Sequence, residues 1–121
     1  MSYIDGFLLA VPTDKRDEYR ELAEKSWPIF KEYGAVRHVE CWQDDVPHGE
    51  TTDFFRAVKA KDGESVVFSW VEYPSKKVRD EANKKMREDP RMKEWGEAMA
   101  FVDGKRMVFG GFLPIMDEKV G

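Results

Sequence analysis

Val66-Val67-Phe68-Ser69-Trp70-Val71-Glu72-Tyr73, closed by Pro74 and followed by Ser75, is the stretch that decides the fold. β-Branched and aromatic residues dominate it, and a proline does not continue a central strand, so it reads as a β-strand ending at Tyr73. Its apolar side chains fall on both faces, with Val66, Phe68 and Trp70 on one and Val67, Val71 and Tyr73 on the other. Such a strand requires cover on both sides.

Downstream, Ser75 is a helix N-cap, and Val78, Ala82 and Met86 recur every four residues before Asp89-Pro90. Asp89 then caps a shorter helix opened by Pro90 and carrying Met92, Trp95 and Met99. Asp103-Gly104 marks a turn, and residues 106–115 are expected to form the last strand, with Gly110-Gly111 permitting a bulge or close backbone approach. Upstream, residues 3–11 read as a buried strand that stops at Pro12, with Thr13 as the expected N-cap of a helix. Tyr19, Leu22, Ala23, Ser26, Phe30 and Tyr33 form its apolar stripe, and Gly34 ends it. Pro28 predicts a kink or break after Trp27. Residues 35–43 alternate as a strand with Val36, His38, Glu40 and Trp42 on one face. Residues 44–52 read as a loop, and residues 53–60 as a short helix in preference to a hairpin arm.

The order is strand, helix, strand, strand, helix, strand, the ferredoxin-like βαββαβ arrangement of the α+β class, with a four-stranded antiparallel sheet and helices on one face. Residues 1–121 are read as one domain of this kind. The second face of the sheet is expected to be buried by another copy of the chain, making a homodimer.

Charge and cysteine content narrow the function classes. The 121 residues hold 20 basic and 24 acidic side chains, a net charge of −4, so there is no global attraction to phosphate or acidic lipid. Between residues 75 and 94 eight basic residues (Lys76, Lys77, Arg79, Lys84, Lys85, Arg87, Arg91 and Lys93) are interleaved with five acidic ones (Asp80, Glu81, Glu88, Asp89 and Glu94) as a solvated face, which argues against nucleic-acid binding. No apolar run approaches the ~20 residues that span a bilayer, and no basic segment precedes the N-terminal apolar run. The single Cys41 forms no intrachain disulfide and is expected to be a buried, inert thiol, suiting a reducing compartment and a cytoplasmic location.

Two groups of residues carry candidate chemistry. In the loop, Asp44, Asp45 and His48 beside Pro47-Gly49 offer carboxylates and an imidazole, as general acid/base work requires; a capped turn is the structural alternative. Their spacing is also compatible with a metal, although none is assigned, nor any cofactor. On the strand, His38 and Glu40 project from the same side about 6–7 Å apart and are read as a pair inside a cavity, or as a satisfied core or interface group. The catalytic candidates are therefore His38, Glu40, Asp45 and His48. Trp42, Phe68, Trp70 and Arg106 are the candidate ligand-binding residues, with core and dimer interface as the alternative for the aromatic ones.

Several phrases also resemble the YbaA-like family of small bacterial proteins, which carries a domain-of-unknown-function label. They are Asp5-Gly6-Phe7, Glu32-Tyr33-Gly34-Ala35, Glu40-Cys41, Asp44-Asp45-Val46-Pro47-His48-Gly49, Ala57-Val58, Val66-Val67-Phe68-Ser69-Trp70, Arg79-Asp80 with Asn83, Asp89-Pro90-Arg91, and Gly104-Lys105-Arg106-Met107 with Gly110-Gly111-Phe112. The likeness runs from residue 5 to about residue 113 and departs from the pattern at Trp27-Pro28 and over residues 97–101. It implies a dimeric α+β barrel built from ferredoxin-like protomers, a fold shared with antibiotic-biosynthesis-type monooxygenases, muconolactone isomerases and haem enzymes. The functional expectation is a homodimer that binds or transforms a small organic molecule in a cavity beside the sheet. The alternative is a non-catalytic interaction or stress-associated module, whose cavity would be filled by side chains.

Overall fold

The computed structural model describes residues 2–121. Strands β1 (Tyr3–Pro12), β2 (Arg37–Trp42), β3 (Glu64–Tyr73) and β4 (Val108–Phe112) form one antiparallel sheet in the order β2-β3-β1-β4. Helices α1 (Arg16–Glu32), α3 (Lys76–Glu88) and α4 (Pro90–Ala98) cover one face, and α2 (Phe54–Ala57) lies in the connection between β2 and β3. This is the ferredoxin-like α+β fold expected from the order of elements.

The register assigns the faces. Ser65, Val67, Ser69, Val71 and Tyr73 of β3 pair with Val11, Leu9, Phe7, Asp5 and Tyr3 of β1 beneath the helices. The alternate residues Phe68 and Trp70 lie on the opposite face with Leu8, Val39, Val108 and Phe112. That face was expected to lack cover from its own chain. One end of it is covered: Val58 and Phe55, at and beside α2, pack on Ala10 and Val66. The remainder is open, with Phe68 48% and Phe112 63% exposed. Among the described residues no helix is long and apolar enough to cross a membrane.

Local chemistry explains where the elements begin and end. Thr13 does not cap α1; it opens a single 3₁₀ turn (Thr13–Lys15), and its hydroxyl pairs with that of Ser65 at 2.7 Å. The break expected at Pro28 does not occur, and α1 runs on to Glu32. Pro28 lies at an exposed position, as does Glu24, the residue whose carbonyl loses its helical donor. Gly34 stops α1 at φ +111°, and a Cβ there would lie 2.5 Å from Val78 Cγ1 on α3, so the position requires glycine twice over. Ser75 and Asp89 cap α3 and α4 as the sequence indicates, accepting the Val78 and Arg91 amides at 3.2 and 2.8 Å. The last strand is shorter than expected because residues 104–106 form a 3₁₀ turn and pairing with β1 ends at Phe112.

Candidate functional site

Beneath α1 and α4 the sheet is not fully packed. A cavity of about 340 Å³ remains, floored by Phe7 and Leu9 of β1, His38 and Glu40 of β2, and Ser69 and Val71 of β3. Its roof includes Tyr19, Ala23 and Phe30 of α1 and Trp95 of α4, and residues 99–107 close one end. The indole Nε1–H of Trp95 donates to the Leu22 carbonyl at 2.6 Å, joining the two helices across the roof. The lining is mostly apolar, and its polar groups gather on the β2 side.

There a carboxylate is held between two donors. The Tyr19 hydroxyl donates to Glu40 Oε1 at 2.5 Å, and His38 Nε2 lies 2.5 Å from Glu40 Oε2. The His38 and Glu40 side chains are only 10% and 23% exposed, and the His38 ring leans on Phe30 with centroids 5.3 Å apart. Burial, reinforced by the charge and hydrogen bond of Glu40, pushes the Tyr19 hydroxyl well above the ordinary tyrosine range, so it stays protonated and remains a donor. The contact occupies His38 Nε2, and in the neutral tautomer that donates from Nε2 the other ring nitrogen, Nδ1, is the acceptor. A carboxylate that orients an imidazole next to an apolar space is an arrangement for moving a proton to or from a bound molecule.

Two further recesses lie along α1 and β2, and both border Glu40 and Arg20. The larger, about 580 Å³, also touches Glu24, Trp27, Arg37 and His38. The smaller, about 300 Å³, touches Arg16, Tyr19, Cys41 and Trp42, with the Arg16 guanidinium 5.9 Å from the centre of the Trp42 ring.

A model of the protein family of unknown function DUF1428 matches residues 2–103. The chain belongs to this family. It is 65% identical over 118 residues to the uncharacterized protein YbaA of Escherichia coli (strain K12), covering 98% of this chain and all of the relative. The same identity holds for YbaA of Shigella flexneri. Among solved structures, a NIPSNAP domain protein from Burkholderia xenovorans has a TM-score of 0.63 at 14% identity, covering 96% of this chain and 99% of that one. A dimeric ferredoxin-like protein from an uncultured marine organism has a TM-score of 0.62 at 13% identity, covering 98% and 100%. A point mutant of SnoaB from Streptomyces nogalater, described as a cofactor-independent oxygenase, has a TM-score of 0.61 at 15% identity, covering 96% and 95%. These likenesses agree on the ferredoxin-like fold.

In this DUF1428 chain the other candidate residues lie apart from the His38–Glu40 pair, except Trp42, which shares a recess with Glu40. Trp42 borders the smaller recess. Phe68 and Trp70 sit on the open face, with Arg37 stacked 4.9 Å over the Trp70 ring. Asp45 is exposed, and the His48 side chain is 80% exposed, stacked on Phe55 at 4.5 Å and 3.8 Å from Asp53. Asp53 itself accepts the Gly49 and Arg56 amides, so this loop is built as a hydrogen-bonded turn. Among the described residues no group of three metal-binding side chains comes together. Cys41 is exposed where a buried thiol was expected, because it points to the open face from an edge strand.

Arg106 holds Glu64 through two hydrogen bonds of 2.8 Å and also reaches Asp103 and the Lys59 carbonyl. The guanidinium keeps the Glu64 carboxyl down to about 2 from its ordinary value of 4.5. The pair's contribution to stability is therefore complete above the ordinary value and lost as pH falls through about 2. Arg106→Gln is expected to lower stability at neutral pH and to flatten its fall with acid, read from urea midpoints taken along a pH series. An unchanged acid slope would refute the pairing.

Tyr19 and Ser69 are the site residues that the sequence reading left out. Tyr19 opens the apolar stripe of α1 and reads as core; the usable signal is that a tyrosine on a buried helix face brings a hydroxyl that needs an acceptor, and Glu40 on the facing strand supplies it.

Proposed function

We propose that this protein binds a small, largely apolar organic molecule in the cavity beneath α1 and α4, and that His38, oriented by Glu40, removes a proton from it. The observation that carries the reading is the Tyr19–Glu40–His38 chain of hydrogen bonds set into the wall of an otherwise apolar space of about 340 Å³. A non-catalytic module would have that space packed with side chains; its openness favours a ligand. SnoaB's description as a cofactor-independent oxygenase supports small-molecule chemistry on this fold. The working unit in this proposal is a homodimer in a reducing, cytoplasmic setting, with two copies joined through the open sheet faces. Its support is the exposed apolar surface around Phe68 and Phe112 and a structural neighbour described as dimeric.

Ser69 gives the direct test. Its side chain lies on the cavity floor opposite Glu40 in the strand register, so Ser69→Leu replaces empty space with an apolar side chain. The variant is expected to melt at or above the wild-type temperature and to lose ligand binding. With wild-type protein, small aromatic compounds found by thermal shift should perturb the NMR signals of Phe7, Tyr19, His38 and Trp95. Perturbations confined to the open face, or full binding by Ser69→Leu, would reject the cavity as the site.

A further inference from the structure

We infer that the ligand carries an anionic head group, a carboxylate or a phosphate, which stays in the smaller recess and is met there by Arg16 and Arg20 while the apolar body reaches past Glu40 into the cavity. This rests on the proposed function and specifies its substrate class. Both further recesses share Glu40 with the cavity lining, which places them beside the reactive pair. Arg16 and Arg20 stand one turn apart on α1, so they share a side of the helix, and both border the smaller recess. Neither is tightly committed. Arg20 meets Glu24 only at 3.8 Å, with both side chains more than 60% exposed, and such a pair is weak; Arg16 lies over Trp42 without an acid partner among the described residues. The two acceptor oxygens of Glu40, by contrast, are already taken by Tyr19 and His38. The uncommitted charge bordering the smaller recess is thus positive in a chain whose net charge is −4, and two guanidiniums with several donors each suit an oxyanion.

Three probes that share one ring system separate the possibilities: 2-naphthoate, 2-naphthyl phosphate and neutral 2-naphthamide, titrated calorimetrically at low salt into wild type, Arg16→Gln/Arg20→Gln and Arg87→Gln. Wild type is expected to bind at least one anion about tenfold more tightly than the amide, a margin of about 1.4 kcal/mol. The stronger of the two anions identifies the head group. The double variant should bind the anions no better than the amide. Arg87→Gln removes one like charge from α3, on an exposed position, and should keep the preference. Equal binding of all three probes by wild type, or a preference that survives the double variant, overturns the inference while leaving the cavity reading intact. Amide binding that Ser69→Leu does not diminish, or no binding of any probe by wild type, overturns the cavity reading and the inference with it.

Discussion

Arg79→Met is expected to destabilise the protein by about 3–5 kcal/mol, the cost of leaving a buried charge without its partner. Arg79 reaches from α3 to Asp5 on β1, placing Nε 2.9 Å and Nη2 2.8 Å from Asp5 Oδ1, with side chains 19% and 8% exposed. The guanidinium also lies 5.1 Å over the Tyr3 ring. Without it, Asp5 remains buried beneath the helices in a neighbourhood that already holds one orphan, the buried Tyr73 hydroxyl. The backbone of β4 seals the cluster: a Cβ on Gly111 would fall within 2.6 Å of both the Tyr3 hydroxyl and Arg79 Nη2. Urea unfolding measures the loss directly, and a change below about 1 kcal/mol would refute the assignment, since that is the scale of an exposed pair. The double variant Asp5→Leu/Arg79→Met should recover much of the stability, because replacing both partners removes the desolvated charge altogether.

The second large effect concerns assembly. Phe68 is 48% exposed near the middle of the open face, beside Leu8 and Cys41 in the strand register. In a two-fold interface each substitution is present twice, so placing a carboxylate at a central aromatic position, at about 2 kcal/mol per copy, weakens association by roughly a thousandfold. Phe68→Glu is therefore expected to sediment as a 14.1 kDa monomer where the wild type sediments at twice that mass. A monomeric wild type at micromolar concentration would remove the dimer from the proposal. A variant that stays dimeric would move the interface to another surface.

The fold was legible because its strongest signals are local. β3 carries its own strand chemistry, Ser75 and Asp89 announce two helices, and Gly34 ends a third. The errors arose where a local rule met a tertiary circumstance. Pro28 has the chemistry to break a helix, yet it and Glu24, whose carbonyl it leaves without a donor, both lie at exposed positions and α1 continues to Glu32. Thr13 has the right chemistry for a cap, yet Ser65 on the neighbouring strand claims its hydroxyl. The His38–Glu40 pairing follows from the two-residue period of a strand, so it was readable, whereas Tyr19 lies 21 residues away in sequence and joins them only when α1 packs on the sheet. The loop after β2 drew attention for its Asp, His, Pro and Gly, but those residue types build turns as readily as they build sites, and sequence alone does not say which side chains turn inward.

β2 is an edge strand with a single neighbour, β3, and it carries both His38 and Glu40. Backbone held by one ladder is released before backbone held by two, so amide exchange should run faster along β2 than along β1 or β3. The reactive pair would then be taken apart by fraying of a short peripheral segment while the rest of the molecule stays folded. On warming, inactivation would precede melting. If the proposed function holds, its thermal limit would be set by the six residues of β2 at the margin of the sheet, below the limit set by the core.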